Sequence, residues 1–297
     1  MRGQIQAFSA SLQGLASDNQ IVQTGSPVVS VAQSLMPTGD IYSVYSPCVC
    51  FIAGGQKSVT AGRSTYQYSP GQFLMSSVNT PVIGRVTKAS EAEPYLCLIM
   101  ELDPSTVFEV LESNQFEFPF NSGREPGLGL DHVSESLFEP LGRLCRHLSS
   151  DADSVYLAKL SIKEIIFHLL RTGLGGSVAQ VGLVDSVVSQ VSRAIDQLRC
   201  NYSQAFRVED LARLSGMSVS AFHRNFKKIT QLSPIQFQKQ IRLQEARRLM
   251  SVQGMDVTTA SIEVGYESIS QFSREYARLF GQSPVKDIAG IKRAIDQ

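Results

Sequence analysis

Two stretches in the last third of the chain repeat one another at a fixed distance, and that repetition limits the architecture more than any other feature. The first reads Gly216-Met217, Phe222-His223-Arg224-Asn225-Phe226 and Ser233-Pro234; the second reads Gly265-Tyr266, Phe272-Ser273-Arg274-Glu275-Tyr276 and Ser283-Pro284. The aromatic and Ser-Pro positions recur at an offset of 50, and only the glycine pair departs from it, at 49. A period this regular marks a duplicated structural unit. Each copy has the residue order of a helix-turn-helix, and two in tandem point to two helices presented to one face of a DNA duplex.

In the first copy a supporting helix is predicted over Val208–Ser215, with Leu211, Ala212 and Leu214 facing inward. Gly216 stands at the sharp turn, where a residue free to take positive φ is favoured. Ser218 is placed to cap the next helix. On that helix Phe222, Phe226 and Ile229 share one face, at i, i+4 and i+7. Ser220, His223, Arg224 and Lys227 occupy the other face, combining donors for base edges with cations for phosphates. His223 is also compatible with a merely solvated position.

The second copy repeats the logic. Val257–Val264 supports, Gly265 turns, and Ser268–Leu279 forms the second reader. Phe272, Tyr276 and Leu279 make its inner face, whereas Ile269, Ser270, Ser273 and Arg274 face outward. Between the copies, Ile235–Leu249 is predicted as a long helix carrying Lys239, Arg242, Arg247 and Arg248. A continuous bridge there would set the separation of the readers against the roughly 34 Å between successive major-groove windows.

The charge distribution agrees. The 297-residue chain balances 27 basic against 27 acidic side chains, which by itself argues against a nucleic-acid partner. Residues 186–297, however, hold 16 basic and 10 acidic side chains, a net of +6, so residues 1–185 hold the opposite excess. No apolar run approaches the roughly 18 residues of a membrane helix, and the first residues do not read as a signal peptide. Five cysteines at irregular spacing do not form a secreted disulfide framework. A cytoplasmic location with reduced thiols is expected.

Four segments are expected: residues 1–26 as a loosely tethered arm, 27–175 as one domain, 176–185 as a linker overlapping the glycine-rich stretch 173–182, and 186–297 as an all-α domain. Strands are predicted at Val28–Ser34, Cys48–Ala53, Lys57–Ala61, Ser64–Tyr68, Gln72–Ser77, Val82–Thr87 and Tyr95–Leu102, broken by Pro47, Gly54-Gly55, Pro70-Gly71, Pro81 and Pro94. Such short, evenly spaced strands favour an antiparallel barrel or sandwich. A helix opens at Asp103 as N-cap and Pro104, Phe116 to Leu130 is irregular, and helices follow over Val133–Leu148 and Val155–Leu170. Asp151 and Asp153 are expected to cap the second of these.

Residues 190–290 resemble the DNA-binding domain of AraC/XylS-family transcription regulators. The resemblance is carried by Gly265–Pro284 (GYESISQFSREYARLFGQSP), which is close to that family's signature, and by Gly216–Lys228 (GMSVSAFHRNFKK). It implies base contacts from Ser220, His223 and Arg224 in the first reader and from Ile269, Ser270, Ser273 and Arg274 in the second. Ser46–Lys57, Tyr68–Leu74 and Glu93–Pro104 resemble the cupin-like sensory domain of one AraC subgroup. The fold implied is a two-domain α+β chain, a cupin-like antiparallel β-barrel with trailing helices followed by tandem helix-turn-helix units. A small effector, a homodimer with Val133–Leu170 as its surface, promoter DNA, RNA polymerase and activation of transcription follow by resemblance; no cofactor is expected.

A catalytic cupin would need histidines and a carboxylate clustered on strands to hold a metal. His132, His147, His168 and His223 all lie outside the predicted strands, so neither a metal site nor catalysis is expected. The rival from another class is a metal-free isomerase-like cupin with an accessory helical domain, and a DNA-repair alkyl acceptor is a third. The latter would need a clustered, metal-activated cysteine, which the spacing does not offer. Cys48 and Cys50, two apart in a strand, project from one face. They read either as small buried apolar groups or as sensing thiols, with Lys57 able to approach across a hairpin.

Overall fold

The computed structural model describes residues 1–17, 20–114, 116, 127–149 and 154–295. The chain divides into two compact units, residues 1–192 with 228–231, and residues 193–227 with 232–297.

The first unit opens with α1 (Arg2–Gln13) and is built on β1 (Ile21–Gln23), β2 (Val29–Ser34), β3 (Ile41–Tyr45), β4 (Cys48–Gly54), β5 (Gln56–Ala61), β6 (Ser64–Tyr68), β7 (Gln72–Ser76), β8 (Thr80–Lys88), β9 (Tyr95–Glu101) and β10 (Leu128–His132). These pair antiparallel as two sheets, β1-β2-β9-β4-β7-β10 and β3-β8-β5-β6. The expected barrel is therefore not closed. The chain passes between the sheets at Ser46-Pro47, Gly54-Gly55 and Ser69–Gly71, turn residues that end one ladder before the next begins.

β4 shows why its sequence is apolar throughout. Val49, Phe51 and Ala53 face a core shared with the helices, whereas Cys48, Cys50 and Ile52 face the four-stranded sheet. A strand covered on both faces has no polar side to show. The helix side is formed by α1, α2 (Pro104–Glu112), α3 (Glu135–Leu148), α4 (Ser154–Leu169) and α5 (Gly175–Gly182). As expected, Asp103 caps α2, its carboxylate accepting from Thr106 N at 2.9 Å.

Several expectations are corrected. Residues 1–26 are not a loose arm: α1 inserts Phe8 and Leu12, 3% and 0% exposed, into the core, and β1 pairs with β2. Nor is residues 176–185 an open linker, because α5 packs there. A Cβ on Gly182 would lie 2.7 Å from Phe108 N on α2, so this glycine serves close helix approach and not flexibility. Pro81 lies inside β8, opposite Val44, where the β5 ladder has already ended at Ile83 and a missing N–H is tolerated. His132 ends β10 and so does lie on a strand. Strands β1, β3 and β10 went unpredicted. Most of the Phe116–Leu130 stretch, and the caps expected of Asp151 and Asp153, lie outside the described residues.

The second unit takes in most of α6 (Val187–Cys200), then α7 (Val208–Leu214), most of α8 (Val219–Thr230), α9 (Pro234–Val252), α10 (Val257–Glu263), α11 (Ile269–Phe280) and α12 (Pro284–Ile295). No helix among the described residues is long and apolar enough to cross a membrane.

Candidate DNA-reading helices and effector cavity

The two helix-turn-helix units are built alike, atom by atom. Gly216 and Gly265 take φ of +64° and +87°. In each turn the residue after the glycine donates its N–H five residues back, Met217 to Ala212 O and Tyr266 to Ser261 O, both at 2.9 Å. Ser218 and Ser268 then cap the readers, their hydroxyls accepting from Ala221 N and Gln271 N, each at 3.3 Å. Phe222 packs on Phe226 with ring centroids 5.4 Å apart, and Phe272 on Tyr276 at 5.5 Å.

α9 joins them without a break. Ser233 and Gln236 close a capping box at its start. Its 19 residues span about 28 Å at 1.5 Å per residue. Phe237 near its beginning packs edge-to-face against Phe226, while Leu243, Ala246, Leu249 and Met250 enter the core of Phe272 and Tyr276. Both readers are thus seated on one rod.

Ser220, His223, Arg224 and Lys227 are all exposed on α8, at spacings that keep them on one face. On α11, Ile269, Ser270 and Arg274 are exposed, and Ser273 is half-buried. Arg274 Nε donates to Ser270 O at 3.2 Å, which lays its guanidinium along the helix. Leu214, expected inside, is 44% exposed; at the end of α7 it turns past the face that buries Leu211 and Ala212.

The cations of α9 are engaged inside the unit. Lys239 pairs with Glu275 at 2.7 Å, Arg247 with Asp287 at 2.7 Å and Arg248 with Glu245 at 2.6 Å. Arg242 donates to the carbonyls of Tyr202, Ser203, Gln204 and Gly265. No ion pair among the described residues engages Arg224, Lys227, Lys228 or Arg274. Of these four, Arg224, Lys227 and Lys228 stand on α8 and Arg274 on α11.

In the first unit a cavity of about 600 Å³ lies between the sheets; Ile41, Val44, Val86 and Ile99 give it a largely apolar surface, while β2 contributes Ser30, Gln33 and Ser34. Cys48 and Cys50 line it, both buried, on one face of β4. Cys97 adjoins Cys50 and Tyr95. The thiol of Cys50 is pushed up chiefly by its hydrogen bond with Cys48, and that of Cys97 chiefly by burial. At neutral pH both are thiols, the unreactive form.

Lys57 enters the same cavity. Its Nζ lies 5.7 Å from the ring centre of Tyr45 and 5.6 Å from that of Tyr95, and both rings favour its charge. Burial pushes the Tyr45 hydroxyl up to about 12. Gly84 leaves room for the lysine stem, since a Cβ there would stand 3.1 Å from Lys57 Cε. Tyr45 and Tyr95 were missed in the sequence; the alternation Ile41-Tyr42-Ser43-Val44-Tyr45 is the strand signal that would have found the first. Among the described residues no group of His, Cys, Asp and Glu is arranged to hold a metal.

Comparison with known proteins bears on both halves. Residues 26–177 match the family model of the AraC-type transcriptional regulator N-terminus, and residues 211–287 match a helix-turn-helix domain model. The chain belongs to the AraC-type transcriptional regulators. Among relatives of this AraC-type chain, the thermoregulatory protein LcrF of Yersinia pestis is 28% identical over 77% of this chain and 84% of LcrF. The transcriptional activator RhaS of Yersinia pestis is 29% identical over 42% of this chain, and the match spans only 45% of RhaS. The crystal structure of ToxT from Vibrio cholerae with bound unsaturated fatty acid has the same fold, with a TM-score of 0.55, 10% identity, and coverage of 88% of this chain and 94% of ToxT.

Proposed function

We propose that this AraC-type protein activates transcription by reading promoter DNA with α8 and α11, under the control of a small effector held between the sheets of its first unit. The observation that carries the reading is the duplicated unit with its aromatic cores turned in and Ser220, His223, Arg224, Lys227, Ile269, Ser270, Ser273 and Arg274 turned toward the exposed side. Arginine can bridge guanine O6 and N7 with two hydrogen bonds, so Arg224 and Arg274 are assigned the main base contacts and Lys227 a phosphate. The residues from 186 onward carry out DNA recognition, and residues 27–175 sensing and dimerisation. RNA polymerase is the partner an activator requires, and the activator RhaS among the relatives supports that sign.

An effector is favoured over a thiol-reactive signal because Cys50 and Cys97 are buried and held protonated. That ToxT, which shares this fold, binds an unsaturated fatty acid supports a small effector for this chain. A homodimer would use α4, where Val155, Tyr156, Leu157 and Leu160 are exposed. Linkage supplies the control: an effector with different affinities for two arrangements of the chain shifts their populations.

The test is selection of binding sites by the full chain from random duplexes, followed by band-shift titration at several salt concentrations. Enrichment of a two-part motif whose log affinity falls linearly with log salt supports the reading. Retention of no sequence over background would end it.

A further inference from the structure

The cavity of the first unit has an unusual polar inventory. Its wall is largely apolar, from Ile41, Val44, Val86 and Ile99, and one end carries the Lys57 ammonium with no carboxylate partner among the described residues. Tyr95, 2% exposed, lines the same space, and among the described residues its buried hydroxyl has only the neighbouring Cys97 thiol beside it, with no oxygen or nitrogen partner. A half-buried cation whose one polar neighbour is the Tyr45 hydroxyl, and a buried hydroxyl without an oxygen or nitrogen partner, are both costly to keep unless something completes them. Both can donate, and what is missing beside them is an acceptor carrying negative charge.

We infer that this cavity binds a monocarboxylic acid with an apolar body, its carboxylate seated on Lys57 and Tyr95. The inference rests on the reading of the first unit as an effector site and names the class of effector.

The count of groups selects among anions. One ammonium matches a single negative charge; a phosphate would call for further cations or an arginine fork. A sugar would need polar partners over most of the wall; Ser30, Gln33 and Ser43 are among the lining, but the surface it presents is mostly apolar. The volume, about 600 Å³, falls in the range of sites that enclose a small organic ligand. Cys48 and Cys50 then acquire a role without reacting: as small, polarisable groups they line the space left for the apolar body.

The experiment is calorimetric titration of the full-length protein with decanoate and with decanol, which share a chain and differ in the charged head. The parent should bind decanoate at least about tenfold more tightly than decanol, as expected of a charge-assisted contact away from water. Lys57→Met should abolish that preference while leaving decanol binding in place, and Lys57→Arg should keep it. Tyr95→Phe should weaken decanoate several-fold and leave decanol unchanged, which provides an answer even if Lys57→Met fails to fold. Equal affinities for decanoate and decanol, no decanoate binding below about 1 mM, or a preference that survives Lys57→Met would each overturn the inference. A band shift of the ligand-free parent on its selected site, run beside the titration, separates the two claims. Loss of DNA binding with the carboxylate preference intact refutes the regulatory reading alone; the converse refutes this one.

Discussion

Arg247 on α9 and Asp287 on α12 meet as a fork, Nε donating to Oδ2 at 2.7 Å and Nη2 to Oδ1 at 2.9 Å. Tyr276 Oη, from the core of the second reader, donates to the same carboxylate at 2.7 Å, and Gln282 Nε2 at 3.1 Å. One buried acid thus ties together the bridge, the second reader and the last helix. Asp287→Asn should destabilise the second unit by about 3 kcal/mol, because it leaves the arginine facing a neutral group. Denaturant titration of the parent and variant checks it.

The same carboxylate sets an acid limit. Burial, the largest single influence, would raise the pKa of Asp287, but the hydrogen bonds from Arg247, Tyr276 and Gln282 and the charge of Arg247 together outweigh it and hold the group below the usual carboxylate value. Its stabilising contribution is therefore fully present above the unfolded value of about 4 and is lost as pH falls through the lower native value. Unfolding midpoints followed from pH 7 to pH 3 should drop at the acid end in the parent, and less so in Asp287→Asn.

The two turn glycines should differ in tolerance despite their equivalent places. Nothing lies within 4 Å of a Cβ built on Gly216, so Gly216→Ala should cost only the positive-φ strain, about 1 kcal/mol. A Cβ on Gly265 would stand 2.0 Å from Ser203 O, which adds an overpacking penalty and brings Gly265→Ala to about 3 kcal/mol. Thermal unfolding of the two variants side by side gives the comparison.

Arg274→Ala should relax specificity at one or two base pairs, costing about 1–3 kcal/mol on the preferred site, whereas Lys227→Ala should weaken all sites alike and lower the salt slope by about one. Band shifts on the selected site and on singly substituted sites distinguish them. Parent-like binding by both variants would refute the contact assignment.

Thiol labelling should discriminate among the cysteines. Cys200 is exposed, whereas Cys48, Cys50, Cys97 and Cys145 are buried, and burial raises Cys145 to about 12. Iodoacetamide at neutral pH should modify Cys200 first, with the others protected until unfolding. Rapid modification of Cys48 or Cys50 in the folded protein would revive the sensing reading.

The duplicated unit was legible because its information is local: a glycine at the turn, a serine cap, aromatic residues one helical turn apart. Cys48 and Cys50 could be placed on one face because strand alternation is equally local. What escaped notice was set by tertiary contact. The polar, Ser- and Gln-rich composition of α1 hides that Phe8 and Leu12, with Ile5 beside them, dock it, and the glycines of α5 read as flexibility when they permit close packing. In the sequence Lys57 stands out only as a neighbour of the thiols; Tyr45 and Tyr95, which come from β3 and β9, meet it through sheet pairing that no short window contains.

The uninterrupted α9 has a consequence for any operator this protein recognises. With Phe226 resting on one end of the helix and Phe272 on the other, neither reader can be re-aimed without disturbing a packed interior. One base pair inserted between the two halves of the motif rotates the second half by roughly 34–36°, and the chain has no hinge there to follow. Spacing in its target genes should be as strictly kept as the bases themselves.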